Sequence, residues 1–273
     1  PKIPNNWRAE EVWFKDRRMN PDLETCRIFE EIRSQTKKIK EQPVLRSGPP
    51  GASEEERGVE LRGALTYAFA AQNPSGNMVA EMMRRSLGAD LGLQNNGGLR
   101  VTLGRDDRPT KLLFGDIFTL LPFDNMLAEI KVTGAQLKEM IAIGLDDRLD
   151  GITETFSWAG DNLEIKCRGG IKVFLGGEEV RDDDIKTIAT SDYLADGGSG
   201  LAELRLRVGD REVQGLQQVN QGDERAFVPG TFRLRTDKPL MRRAVFEEIG
   251  NLGRDSISAS FYGRKNMTDG CPG

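Results

Sequence analysis

Between residues 126 and 145 a strand pattern runs straight into a helix pattern. Met-Leu-Ala-Glu-Ile-Lys-Val (126–132) alternates apolar and polar residues, as a half-buried strand does. Thr133 and Gln136 then have the spacing of a capping box, in which two side chains satisfy orphan amides at a helix start. Leu137, Met140, Ile141 and Leu145 follow at helical spacing. The rest of the chain mixes the two periods in the same way. A helix is expected over 75–88, with Met78, Val79, Met82 and Leu87 inward and the methionines as core filler. A short strand ends at Gln94. Further strands are expected at 163–168, 171–175, 185–190 and 202–208. A last helix should start at Thr236 or Asp237, with Leu240, Val245 and Ile249 inside, before a last strand at 256–261. No strict βαβ repeat emerges, so the pattern predicts a layered α/β or α+β fold and argues against a Rossmann fold.

The first 19 residues are polar, with Trp7, Trp13 and Phe14 interspersed, and read as an arm that packs on something. Asn20 is a good N-cap and Pro21 a good first helical residue. Leu23, Cys26, Phe29, Ile32 and Ile39 then form an apolar stripe. Asp22 and Glu24 at the start and Lys37, Lys38 and Lys40 near the end complement the helix dipole, and Pro43 stops the helix. Residues 47–58 are punctuated by Gly and Pro and solvated by three glutamates. The expected organisation is an N-terminal arm and connecting helix over 1–46, a flexible linker over 47–58 and a folded domain over 59–273.

With 273 residues, 37% apolar and 30% charged, the chain can bury a sizeable core as one large domain or two small ones. A net charge of −4 argues against a general affinity for nucleic acid, which needs a basic face. No apolar run approaches the roughly 18 residues that span a bilayer, so no transmembrane segment is expected. No signal peptide is visible, and a start at Pro1 is compatible with removal of a leader or of an upstream region. Histidine is absent altogether. That excludes Ser-His-Asp and Cys-His nucleophiles in their usual form and His-ligated zinc or di-metal centres. A site made of Asp and Glu alone would favour magnesium or calcium, but no catalytic residue and no metal ligand is assigned. Cys26, Cys167 and Cys271 are far apart and odd in number, so free thiols are expected, with Cys271 in a Gly/Pro-flanked tail able to pair with another chain. Asn266-Met267-Thr268 is a glycosylation sequon.

Three loops invite chemistry. In Leu93-Gln94-Asn95-Asn96-Gly97-Gly98-Leu99-Arg100, the glycines leave backbone amides open to close approach, and Arg100 supplies a planar cation suited to phosphate or carboxylate. Read alone, the same stretch is first of all a two-residue hairpin turn with a surface arginine. Phe123 lies in a loop after Pro122, where it either plugs the core or faces a ligand. Tyr193 precedes the glycine-rich loop Gly197-Gly198-Ser199-Gly200. Together, two loop aromatics and a glycine-flanked arginine are what a nucleotide pocket needs. Stacking on each ring contributes on the order of 1–3 kcal/mol per base.

In order and spacing these stretches resemble the C-terminal domain of the 5'-nucleotidase family. The family's Asn-x-Gly-Gly-Ile-Arg is matched by Asn95-Asn96-Gly97-Gly98-Leu99-Arg100, and its Gly-Asp-Ile/Leu by Gly115-Asp116-Ile117. Its Pro-Phe-Asn/Gly-Asn is matched by Pro122-Phe123-Asp124-Asn125, and its Thr-Gly-x-x-Leu by Thr133-Gly134-Ala135-Gln136-Leu137. Phe156 and Ala159-Gly160 echo a Ser-Gly that follows an aromatic. The family's aromatic-Leu/Ile-Ala-x-Gly-Gly-Asp-Gly becomes Tyr193-Leu194-Ala195-Asp196-Gly197-Gly198-Ser199-Gly200. The resemblance covers most of 20–215, with the helix over 20–41 resembling the family's exit from its first domain.

The resemblance implies a four-layer α/β/β/α sandwich, preceded by a helical arm, that binds the nucleoside part of a substrate. It implies that Phe123 and Tyr193 stack on the base, and that Asn95 and Arg100, on the Gly97-Gly98 turn, contact sugar and phosphate. Two departures matter. The loop carboxylate that accepts ribose hydroxyls is Ser199 here, which hydrogen-bonds without charge assistance. A family arginine just before the helix at 75–88 has no counterpart in 67–77, with Arg62 the nearest substitute. Phosphate-ester hydrolysis belongs in the family to an N-terminal metallophosphatase domain with a divalent di-metal site and several histidine ligands. This chain therefore needs no cofactor of its own and is expected to be inactive alone, its partners being a nucleoside or nucleotide and such a domain or another protein chain. The alternative is a non-catalytic structural or interaction subunit built on the same domain, with the aromatic arm and the Cys271 tail on a partner. The resemblance favours an extracellular, periplasmic or secretory-pathway location.

Overall fold

The structure, a computed structural model, describes residues 13–14, 17–18, 23–69, 71, 73–145, 156–208, 211–218, 228–237, 240–253, 256–262, 266–268 and 271. It divides into two compact units, Pro1–Gln42 and Pro43–Gly273. In the first, strands β1 (Trp13–Phe14) and β2 (Arg17–Arg18) form an antiparallel ribbon, and helix α1 spans Leu23–Lys40. Glu24 lies in its first turn and Lys37, Lys38 and Lys40 in its last, as the dipole argument expects. On the apolar stripe of α1, Phe29, Ile32 and Ile39 are each about half exposed and Cys26 is half-buried. Trp7, the Asn20 cap, Pro21 and Asp22 lie outside the described residues, as do the side chains of Trp13, Phe14 and Leu23.

The second unit opens with a chain that is pinned at intervals. Pro43 bridges Leu113, Leu45 bridges Gly58, and Val44 is fully buried. Within the segment read as a linker, α2 (Glu54–Arg57) forms a capped turn. Ser53 N–H donates to Glu56 Oε2 at 2.8 Å and Glu56 N–H to Ser53 Oγ at 3.2 Å, the reciprocal pair of a capping box. Those bonds hold the Glu56 carboxyl below its ordinary range.

Then come β3 (Glu60–Arg62), α3 (Pro74–Leu87) and β4 (Leu91–Asn95). Asn73 caps α3 by accepting from Gly76 N–H at 2.9 Å, Pro74 needs no amide partner there, and Gly88 ends the helix in the left-handed region. After β5 (Thr110–Lys111) follow α4 (Phe114–Leu120), β6 (Leu127–Thr133) and α5 (Gly134–Gly144). The capping box expected from sequence forms: Thr133 N–H donates to Gln136 Oε1 at 2.8 Å and Gln136 N–H to Thr133 Oγ1 at 3.2 Å. Strands β7 (Phe156–Gly160), β8 (Glu164–Lys166), β9 (Lys172–Leu175), β10 (Glu178–Glu179) and β11 (Ile185–Ser191) lead into the short helix α6 (Asp192–Ala195). Beyond it are β12 (Arg205–Val208), β13 (Arg211–Gln214), β14 (Gln217–Gln218), β15 (Thr231–Leu234), α7 (Met241–Asn251), β16 (Ser256–Ser258), α8 (Ala259–Tyr262) and β17 (Met267–Thr268).

The architecture is mixed α/β. A six-stranded sheet runs β14-β15-β6-β11-β4-β7, with β11 parallel to β4 and antiparallel to β6. Its side chains alternate between two cores. Leu127 and Ala189 join Met78, Met82, Ile117, Val245 and Ile249 in one. Ala128, Ile130, Val132 and Ile188 join Leu137, Ile141, Trp158 and Ile165 in the other. This period-two division is what buries both faces of the sheet. A four-stranded sheet (β10-β9-β8-β17) and a three-stranded one (β16-β3-β5) accompany it.

Several details differ from the sequence reading. The last helix starts at Met241, not at Thr236 or Asp237, because the chain first completes β15 and then bridges Leu240 to Met126. The run 256–261 splits into β16 and α8. The expectation of free cysteines at 167 and 271 is overturned: Cys167 and Cys271 form a disulfide, with Cα atoms 4.9 Å apart. Parallel pairing of β17 with β8, Met267 opposite Ile165, delivers the tail to Cys167, a meeting that spacing alone cannot reveal. Cys26 stays a thiol. The sequon asparagine, Asn266, is half-buried and donates its Nδ2–H to the Trp158 carbonyl at 2.6 Å.

Candidate functional site

Three loops meet at the ends of β4, β6 and β11. β4 finishes at Asn95 and enters a 3-10 turn, Asn96–Gly98, so the stretch 93–100 is no two-residue hairpin: the next strand, β5, pairs with β3 in another sheet. The turn is held from inside by Asn96, which is fully buried. Its Oδ1 accepts from Ser157 Oγ at 2.9 Å, and its Nδ2 donates to the carbonyls of Ala71 at 2.7 Å and Phe69 at 3.2 Å. At Gly98 a Cβ would stand 2.5 Å from Gln94 Nε2 and 2.9 Å from Asn95 Oδ1, so a side chain there would have to displace these two buried amides. Gly97 is half-buried and its carbonyl accepts from Arg100 Nη1. Arg100 is exposed; Nη1 also donates to its neighbour Leu99's carbonyl at 2.8 Å, and its Cζ lies 4.8 Å from the centre of the Phe123 ring.

Phe123 follows α4 and is 43% exposed, so it does not plug the core. Arg242 of α7 reaches under it, donating to the carbonyls of Phe123 at 2.9 Å and Pro122 at 3.4 Å and pairing with Asp124. On the third loop Ser191 is buried and accepts from Leu194 N–H at 3.3 Å, starting α6. Asp192 ties this loop to the second: its carboxylate accepts from Met126 N–H at 3.0 Å and Tyr193 N–H at 2.9 Å. Burial nonetheless pushes the Asp192 carboxyl above the ordinary aspartate range, outweighing those bonds.

Tyr193 is 49% exposed, and its ring covers Gly198, where a Cβ would come within 2.5 Å of ring carbons. Its Oη accepts from Ser199 N–H at 3.3 Å. Ser199 sits in the left-handed region at φ 53°, and its Oγ accepts from Asn95 Nδ2 at 3.3 Å. The seven residues singled out by sequence thus fall into two linked groups. Arg100 meets Phe123, and Asn95 meets Ser199 and through it Tyr193. Arg62 stands apart, ending β3 opposite Ser258. Sequence reasoning missed Asn96, Asp192 and Arg242. Asn96 has the strongest signal, as the second of two asparagines before the glycines; Arg242 reads as one more charge on a solvated helix face. Among the described residues no group of three or more Cys, Asp or Glu side chains is placed to hold a metal ion.

The model of the 5'-nucleotidase C-terminal domain matches residues 57–205, more than half of the chain and all three loops. The chain belongs to this family. A probable 5'-nucleotidase of Treponema pallidum is 37% identical over 122 residues, covering 40% of this chain and 20% of that protein. An endonuclease of Bacillus subtilis, YhcR, is 24% identical over 194 residues, covering 68% of this chain and 14% of that protein. The 5'-nucleotidase precursor structure from Thermus thermophilus superposes with a TM-score of 0.55 at 13% identity, over 87% of this chain and 42% of the other, which shows a shared fold. This 5'-nucleotidase C-terminal domain therefore spans a fifth or less of the two relatives' sequences and under half of that structure.

Proposed function

We propose that this domain binds a nucleoside or nucleotide, with the base between Phe123 and Tyr193, the sugar at Asn95 beside the Gly97-Gly98 turn and at Ser199 of the other glycine loop, and the phosphate at Arg100. The observation that carries this reading is the pair of half-exposed aromatic rings on loops joined by polar contacts. A ring left in solvent gives up burial energy, and a flat ligand would recover it by stacking. Phosphate-ester cleavage is assigned to a partner metallophosphatase domain with its own divalent di-metal site, because a chain without histidine lacks the side chains for such a centre. The Cys167–Cys271 bond supports an oxidising compartment, in keeping with an extracellular, periplasmic or secretory location.

Calorimetric titration with adenosine and AMP tests the proposal. Phe123→Ala and Tyr193→Ala should each weaken adenosine binding by about tenfold or more, the scale of one stacking contact. Absence of heat at millimolar nucleoside would sink the reading. It would leave a non-catalytic interaction subunit, which the half-exposed Ile32 and Ile39 of α1 favour.

A further inference from the structure

Resting on that reading, we propose that Arg242 is the positioning residue that fixes Phe123 for stacking. The loop after α4 has few bonds of its own. Among the described residues, Arg242 is the one hydrogen-bond partner of the Pro122 and Phe123 carbonyls. Its Nη1 serves both, Nη2 engages the Asp124 carboxylate, and the guanidinium Cζ lies over the Phe118 ring of α4, 4.7 Å from its centre. Three successive residues are thus gripped by one rigid, permanently charged fork, which the single ammonium of a lysine does not reproduce.

The accessibility of the partners shows what this arrangement serves. The Arg242 side chain is 11% exposed, whereas Asp124 is 79% exposed and Phe123 43%. A desolvated cation is committed to a loop whose charged and aromatic members both remain in water. A contact made only for packing would gather its partners inward. Arg242 itself is seated by the helix that carries it: Met241 N–H donates to the Asn125 carbonyl at 2.9 Å, so the first turn of α7 abuts the far end of the same loop. Its neighbour Arg243 instead pairs with Glu247 along the helix and is 54% exposed.

The test uses 4-fluorophenylalanine at position 123 and adenosine titration of the full chain. Arg242→Ala should shift the fluorine resonance and weaken adenosine binding about tenfold, while Arg242→Ala adds no further loss in a Phe123→Ala background, the non-additivity of residues acting as a unit. Arg242→Lys should recover less than half of the loss, and Arg243→Ala should leave both readouts unchanged. An unchanged fluorine resonance in both Arg242 variants overturns the proposal, as does an equal loss of affinity in the wild-type and Phe123→Ala backgrounds. If Phe123→Ala binds adenosine as tightly as the wild type, the stacking role of Phe123 fails, and the fluorine shift alone decides whether Arg242 holds the ring. Should Arg242→Ala fail to fold, Arg242→Lys carries the same fluorine comparison.

Discussion

The Arg100 guanidinium lies 4.8 Å over the Phe123 ring while its Nη1 donates to the carbonyls of Leu99 and Gly97. One cation therefore already ties the turn after β4 to the aromatic loop before β6. An exposed stack of this kind contributes about 0.5–1 kcal/mol, little enough for an incoming anion to redirect the side chain. Arg100→Ala should therefore lower AMP affinity by roughly tenfold, the scale of a hydrogen-bonded charge, and change adenosine affinity by less than about threefold. Parallel calorimetric titrations with the two ligands make the comparison. Equal losses for both would show that Arg100 serves the ring and not the phosphate.

Tyr193 lies on Gly198, and the space for a Cβ is occupied by the far end of its own flexible side chain. Gly198→Ala should lift the ring rather than break the fold. The expected outcome is weaker adenosine binding, by about fivefold, with a stability change within roughly 0.5 kcal/mol, as for a surface substitution. Thermal unfolding alongside titration separates the two effects. A large fall in melting temperature would mean that the glycine loop is part of the core.

Burial raises the carboxyls of Asp116 and Asp192, with hydrogen bonds from Leu113 N–H and from Met126 and Tyr193 N–H opposing it. A raised folded pKa means that the folded state holds its proton longer than the unfolded chain. Each group's contribution thus falls as pH climbs from the ordinary aspartate range through the raised value, and is flat above it. Urea midpoints of Asp116→Asn and Asp192→Asn should lose less than the wild type between pH 4 and pH 7. Identical slopes in all three proteins would place both carboxyls in water.

The disulfide joins residues 104 apart in sequence, and a closed loop of that size contributes up to about 4–5 kcal/mol by restricting the unfolded chain. Cys271→Ser, or reduction, should lower the melting temperature by roughly ten degrees. Cys26→Ser should leave it within a degree or two and respond to reductant as the wild type does.

How much of this was legible in the sequence depends on range. The Thr133–Gln136 capping box, the helix expected over 75–88 and found at Pro74–Leu87, and the strand ending near Gln94 are local matters of hydrogen bonding and periodicity. They read directly. Helix α4, with the buried pair Ile117 and Leu120, was absorbed into a motif and missed, as was β15, where only Thr231 and Phe232 are buried. Neither runs beyond about two periods, too short for the pattern to stand out. The site's three motifs were recognised by order, but what joins them was not. Asn95 reaches Ser199 over 104 residues, Asp192 reaches Met126 over 66, and Arg242 reaches Phe123 over 119. Such partners are set by sheet topology, with β4, β11 and β6 side by side, and no sequence window contains them.

The covalent link from Cys167 to Cys271 spans β11, Tyr193, β15 and the helix bearing Arg242. A single protease cut anywhere between those cysteines opens the chain without releasing a piece. On a gel without reductant the nicked protein should still migrate as one species, with Tyr193 and Arg242 travelling together. Only reductant would part the two fragments.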